Sequence, residues 1–203
     1  MEQNTSAQKD LSGSLIVFKI GILGCLPLDA FKYIAESYDD SAYIESDTVR
    51  GQLILKDQQR GITRGDHYYE RANRVNDKII DIAAPILKDG DDVFIDKFYN
   101  TQGSRVRPLD LARNLGALSV ALIINTPYDV IDRRVREWIQ HDVFPTPVAE
   151  WAVPPLQRVR NMKHHIQAPK HDEAIDYEFL INGNTDDDGI LEQFDELYQQ
   201  HGL

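Results

Sequence analysis

Between Arg133 and Lys170, seven arginines and lysines (Arg133, Arg134, Arg136, Arg158, Arg160, Lys163 and Lys170) stand against three acids (Glu137, Asp142 and Glu150), a segment net of +4. The whole chain carries −11, so the remainder sums to −15. Cations gathered in an acidic protein mark either a docking face for an anionic substrate or a solvated face, and docking is the expectation taken forward. Two other groupings have residue types that chemistry uses. Ile44-Glu45-Ser46-Asp47-Thr48-Val49-Arg50 puts an acid and an arginine one helical turn apart on one face. The structural alternative is that Ser46 or Asp47 caps a helix beginning at Thr48, with Arg50 in solvent. Asp96 ends the run Val93-Phe94-Ile95, a position that also suits a turn former. His164, His165 and His171 match no common zinc spacing and are expected at the surface, so no metal ligand is assigned.

The elements that must position these residues alternate. Leu15 to Leu23 is a near-continuous apolar run rich in β-branched residues, as in a strand buried on both faces of a parallel sheet. Ala30, Phe31, Ile34, Ala35 and Tyr38 follow at helical spacing, with Pro27 placed for a first turn. Ala42 to Glu45 reads as a second strand, about 66–87 as a long helix stopped at Gly90, and Val93 to Asp96 as a third strand. Pro108 to Asn114 predicts a short helix ended by Gly116, Ala117 to Ile124 a fourth strand, and Tyr128 to Gln140 a helix. Pro145, Pro147, Pro154 and Pro155 cluster around Trp151 and break any long element there. Tyr177 to Ile181 predicts a fifth strand and about 187–199 a closing helix. Alternation of this kind predicts an α/β fold with a parallel sheet between helices, whose ligands bind outside the carboxyl ends of the strands.

Composition sets the outer bounds. With 203 residues, 42% hydrophobic and 27% charged, the chain is expected to form one domain over 14–203 behind a disordered polar leader, 1–13. The stretch from Leu15 to Leu28 is interrupted by Lys19 and two glycines, which argues against a membrane span, and a secretory signal is not evident. The single cysteine, Cys25, excludes an internal disulfide framework and suits a reducing compartment, so the cytoplasm is the expected location. The acidic balance argues against diffuse binding to nucleic acid or anionic membrane.

In order along the chain, these pieces resemble the P-loop kinases grouped around phage and bacterial polynucleotide kinases, with zeta-toxin-like kinases as neighbours. The match covers about residues 15–182. In that family a strand ends in the loop GxxxxGK[ST], and a helix, a short strand and the motif S/R-D-x-x-R follow; Ser46-Asp47-Thr48-Val49-Arg50 fits that motif. Val93-Phe94-Ile95-Asp96 resembles the third strand, and Ile124-Asn125-Thr126-Pro127-Tyr128 with Arg133 and Arg134 resembles the strand, turn and arginine-bearing lid helix, the lid spanning about 133–170. The resemblance implies a three-layer fold with a five-stranded sheet, and roles for particular side chains. Asp47 would be the general base toward an acceptor hydroxyl, Arg50 would hold the acceptor's phosphate, and Asp96 would lie near the metal or the acceptor. Arg134 and Arg136, with Arg133 beside them, would clamp donor phosphates, and Gly21 and Gly24 would belong to the phosphate loop. ATP and Mg²⁺ are the implied cofactors, and a nucleotide or a single-stranded nucleic-acid end is the implied partner.

The loop itself departs from the family. It reads Gly21-Ile22-Leu23-Gly24-Cys25-Leu26-Pro27-Leu28-Asp29, so the second motif glycine is Leu26, the lysine is Pro27 and the hydroxyl residue is Leu28. The lysine that reaches the β/γ-phosphates and the hydroxyl that binds Mg²⁺ are both missing. Pro27 also removes an N–H from a loop that works by presenting N–H groups, and Asp29 adds a carboxylate at the start of the helix. Lys19, inside the strand, and Lys32, beyond the first turn, are not obvious substitutes. Two functions are consistent with this sequence: phosphoryl transfer to a nucleotide or nucleic-acid hydroxyl with an altered donor site, and ligand or partner binding by a catalytically impaired descendant. A different reaction on the same scaffold is the third.

Overall fold

The computed structural model describes residues 13–61, 68–141, 143 and 155–203. The leader over 1–12, the expected helix start near residue 66 and the cluster Pro145, Pro147, Trp151 and Pro154 lie outside the described residues. The apolar run begins β1, Leu15–Ile20, buried over its whole length with Lys19 included. It is the middle strand of a five-stranded sheet ordered β2-β3-β1-β4-β5, where β2 is Ser41–Glu45, β3 Asp92–Phe98, β4 Leu118–Asn125 and β5 Tyr177–Asn182. Every neighbouring pair is parallel.

Seven helices among the described residues connect and cover the strands: α1 Ala30–Glu36, α2 Ser46–Gln59, α3 Tyr68–Asp89, α4 Gln102–Leu115, α5 Tyr128–His141, α6 Pro155–Lys163 and α7 Asp187–Gln200. Because side chains alternate along a strand, β1 feeds two cores. Leu15 and Val17 pack with Phe31 and Ile34 of α1, Val135 of α5 and Phe194 of α7. Ile16, Phe18 and Ile20 pack with Val49 of α2, Val75 and Ile79 of α3 and Leu109 of α4. A sheet with a helical layer and a core on each face is the three-layer α/β arrangement that the sequence predicts. No described helix is long and apolar enough to cross a membrane.

Three local expectations are corrected. β1 stops at Ile20 rather than Leu23, and α1 starts at Ala30, leaving Pro27 in the intervening loop rather than in a first turn. The helix placed at Pro108 begins six residues earlier, at Gln102, because Thr101 caps it: the Thr101 hydroxyl accepts from the Ser104 N–H at 3.2 Å and the Ser104 hydroxyl accepts from the Thr101 N–H at 3.1 Å. Gly116 ends that helix at φ 71°, the left-handed conformation that glycine adopts cheaply. α6 starts on Pro155, where the proline cluster suggested only a break, since a proline fits a first helical turn. Past α6 the chain is tied down by Arg105. Its buried guanidinium donates to Glu173 at 2.5 and 2.8 Å and to the carbonyls of Tyr99 and Gln167 at 3.0 and 3.1 Å.

Candidate functional site

At the carboxyl ends of β1, β2 and β3 lies a cavity of about 390 Å³. Its floor is set by a slip in register. Phe18 pairs with Ile95, but the next residue of β1, Lys19, pairs with Phe98, so Asp96 and Lys97 are extra on β3. Bulges of this kind re-aim side chains at the ends of sheets. Lys19 forms an ion pair with Asp96, and its ammonium lies 4.9 and 4.8 Å from the ring centres of Phe31 and Phe98. Asp96 also accepts from the Tyr43 hydroxyl at 2.5 Å. Burial first, then the Asp96 charge, pushes the Tyr43 phenol well above its ordinary range.

Asp47 and Arg50 stand on the first turns of α2 beside this floor. The helix starts at Ser46 with Glu45 at the N-cap position, so Asp47 lies inside the first turn and caps nothing. Its carboxylate instead accepts from Arg50 Nη1 at 2.7 Å, with both side chains only partly exposed. The facing wall comes from the region expected to act as a lid: Trp138 of α5 and Arg158, Met162 and His165 of and just beyond α6 line the cavity. Asp47, Arg50, Asp96 and Gly24 therefore meet at one cavity, along with two lysines that sequence reasoning did not select, Lys19 and Lys97. Lys97 is half-buried, with its ammonium 4.2 Å from the Tyr99 ring centre. Burial, then the charges of Arg50, Arg107 and Arg158, pulls its pKa down to about 8.

The remaining expected residues are placed elsewhere. Arg134 does not line the cavity. It is half-buried beneath the loop, where Nη1 donates to the Gly183 carbonyl at 2.7 Å and, at longer range, to those of Cys25 and Gly24 at 3.3 and 3.4 Å, and Nη2 donates to the Thr185 carbonyl at 3.2 Å. Arg136 is exposed and pairs with Asp132 at 2.7 Å, the solvated-face alternative. Arg133 is exposed and lies outside the cavity lining. His165 reaches the rim, with Nδ1 2.6 Å from the Asn161 carbonyl. Among the described residues no three His, Cys, Asp or Glu side chains are grouped to hold a metal.

The loop from Gly21 to Asp29 is closed on itself and on its neighbours. Asn100 clamps Gly21 at both ends, accepting from its N–H at 2.9 Å and donating to its carbonyl at 2.7 Å. The Cys25 N–H donates back to the Ile22 carbonyl at 2.9 Å. The Cys25 carbonyl accepts from the Thr126 hydroxyl at 2.6 Å as well as from Arg134. Gly24 sits at φ 87°, and a Cβ there would lie 2.7 Å from Val135 Cγ2, so α5 packs directly on the loop. The side chains of Cys25 and Leu26 are buried in the core with Ile131 and Val135. Burial raises the Cys25 thiol to about 11. Asp29 takes the N-cap position of α1 without a side-chain capping bond.

These residues do not fit ATP and Mg²⁺. A phosphate loop presents backbone N–H groups, a lysine and a hydroxyl to the anion. Here the N–H groups of Gly21 and Cys25 are already paired, the carbonyls of Gly24 and Cys25 face a guanidinium, and Pro27 and Leu28 supply neither group.

No family model and no curated protein sequence matches this chain. Solved structures do. A candidate kinase from Chloroflexus aurantiacus is 11% identical, with 94% of this chain and 98% of that one covered at a TM-score of 0.66. The APS kinase CysC of Mycobacterium tuberculosis, in complex with AMPPNP and APS, is 14% identical over 92% of this chain and 98% of that one, with a TM-score of 0.60. Chaetomium thermophilum Kti12, in complex with ADP-AlF3, is 16% identical over 91% and 97%, with a TM-score of 0.59. At such identities the likeness is one of fold, which this chain shares with these solved structures.

Proposed function

We propose that this chain is a P-loop kinase-fold protein whose donor loop is closed and whose acceptor-side cavity binds an anionic ligand of the nucleotide or nucleic-acid-end class without conventional use of ATP. The observation that carries it is the set of bonds onto the loop carbonyls: Thr126 and Arg134 donate to Cys25, Arg134 donates to Gly24, and Gly183 packs so closely that a Cβ on it would lie 2.1 Å from the Cys25 oxygen. Phosphate oxygens brought to those carbonyls would meet acceptors rather than donors. A phosphoryl-transfer function with a different donor is favoured by one specific feature, the placement of Asp47 and Asp96 on the same cavity.

Thermal melting with millimolar MgATP tests the closed loop. A ligand of the native state at 100 times its dissociation constant adds about 2.7 kcal/mol, which would raise the melting temperature of a domain this size by roughly 5–11 °C. No rise is expected. A rise of that size would overturn the closed donor loop, and transfer of phosphate to a 5′-hydroxyl oligonucleotide that is lost in Asp47→Asn would establish the second function.

A further inference from the structure

We propose that Lys97, with Arg50 and Arg158, forms a receptor for the phosphate of a small organic phosphomonoester, whose body lies against Leu26, Leu28 and Trp138 of the same cavity. This rests on the ligand-binding function above only in taking the cavity as a binding site, and it holds whether or not the donor loop opens.

The case for Lys97 begins with its neighbours. The two residues added to β3 by the slip in register differ in how their charges are compensated. Asp96 is satisfied within the protein by Lys19 and Tyr43. Lys97 has no acidic partner among the described residues, and the charges that act on it are those of Arg50, Arg107 and Arg158. Among the described residues, four cations (Lys19, Arg50, Lys97, Arg158) and three carboxylates (Glu45, Asp47, Asp96) line the cavity. Two of the carboxylates are bound to Lys19 and Arg50, and the third, Glu45, accepts from the Thr48 hydroxyl. The described lining residues thus sum to +1 inside a protein of −11. Holding a half-buried ammonium among guanidiniums is unfavourable unless an anion joins them.

Size and chemistry select the anion. A volume of about 390 Å³ lies at the small end of ligand pockets, which run from about 300 to 1,000 Å³. It suits a nucleoside monophosphate or a sugar phosphate rather than a folded nucleic acid. Arginine forks and a lysine recruited from three different elements match a tetrahedral group of oxygens, and the apolar lining from Leu26, Leu28 and Trp138 suits a ring. The protonated form of Lys97 is the one that binds, so a bound dianion must draw a proton onto Lys97 near pH 8.

The test follows that proton. In protein labelled with ¹³C-lysine, the Cε resonance absent from Lys97→Arg reports the titration of Lys97. In chloride buffer its midpoint is expected near 8. With 20 mM inorganic phosphate or a nucleoside monophosphate at matched ionic strength, it should rise to about 9 or above, a tenfold gain in proton affinity. The Arg50→Gln variant should show at most half of that rise. A midpoint indifferent to phosphate, a rise equalled by chloride alone, or no lysine titrating below pH 9 would each overturn the proposal. If a 5′-phosphorylated oligonucleotide raises the midpoint where the mononucleotide does not, the small-molecule assignment is wrong. Stabilisation by MgATP with the Lys97 response intact would instead remove the closed donor loop and leave this receptor standing.

Discussion

Replacing Arg134 by alanine separates a structural clasp from a phosphate clamp. In the clasp, the guanidinium donates to Gly183 at 2.7 Å and to Thr185, Cys25 and Gly24 at 3.2–3.4 Å, joining α5 to the loop after β1 and the loop after β5. A hydrogen bond from a charged donor contributes about 1.5–3 kcal/mol net when its partner is left unmet. The bond to Gly183 qualifies for that range, whereas the three longer ones share two nitrogens and are weaker. With water relieving part of the loss at a half-buried site, Arg134→Ala should cost about 3 kcal/mol, and at 2–4 °C per kcal/mol for a chain of this size the melting temperature should fall by roughly 6–12 °C. Differential scanning fluorimetry in the absence of ligand reads this directly. Arg136→Ala, which removes an exposed pair with Asp132, serves as the control and should leave the melting curve in place. A side chain held ready for an absent phosphate contributes little to the unliganded fold. If Arg134→Ala melts within about 2 °C of the parent while phosphate affinity collapses, the clasp is refuted and the clamp implied by the family resemblance is restored.

Two further perturbations probe the same region. Gly183→Ala places a methyl 2.1 Å from the Cys25 carbonyl and 2.2 Å from the Thr126 hydroxyl, and such overpacking should destabilise by about 1–3 kcal/mol. Gly51→Ala, in the interior of α2 with no described residue within 4 Å, should instead stabilise by up to about 1 kcal/mol, so denaturant midpoints moving in the same direction would contradict the geometry. For Lys97 the folded pKa of about 8 lies below the ordinary 10.5, so between those values the unfolded chain binds more protons and stability rises with pH. Below pH 8 both states are protonated and the penalty is complete. Lys97→Met should therefore be the more stable protein at pH 7, by up to roughly 3 kcal/mol, and its stability should be flatter from pH 8 to 10; a parent that loses stability over that interval would refute the assignment.

Much of the scaffold is legible in the sequence for identifiable reasons. A strand covered on both faces needs apolar residues at every position, so Leu15–Ile20 stands out as a run. Gly116 announces the end of α4 because few other residues accept its left-handed backbone. The start of α4 was obscured because its capping partner at the third helical position is Ser104 rather than a glutamate, while Pro108 mimics a first-turn proline. In the site, Asp47, Arg50 and Asp96 share a cavity because each lies at or near the carboxyl end of one of two neighbouring parallel strands, although β3 runs on to Phe98 rather than ending at Asp96 as expected. The engagement of Arg134 was not legible: its partners are backbone carbonyls 49–110 residues away, and a carbonyl leaves no mark in side-chain spacing. Lys19 and Lys97 were missed for a related reason. The register slip that brings Lys19 to Asp96 and leaves Lys97 among arginines is a relation between two strands, visible in neither alone.

The two sides of the cavity also differ in what a ligand would have to displace. On the loop side, opening Gly21 to Leu26 for an anion means parting the Asn100 clamp, the Thr126 and Arg134 bonds to carbonyls and the burial of Cys25 and Leu26. Even at about 1 kcal/mol net per hydrogen bond and 1.5–3 kcal/mol for a buried leucine, the open form lies several kcal/mol above the closed one. Moving such an equilibrium from 1:99 to 99:1 takes about 5.5 kcal/mol of preferential binding to the open form. A triphosphate lacks the lysine and hydroxyl contacts that would supply this preference. On the α2 and α6 side, an anion displaces no internal partner of Lys97, because no acid holds that ammonium among the described residues. The same fold thus resists an anion at the loop and favours one at Lys97, and this difference in cost, rather than the count of charges, directs the ligand to the acceptor side.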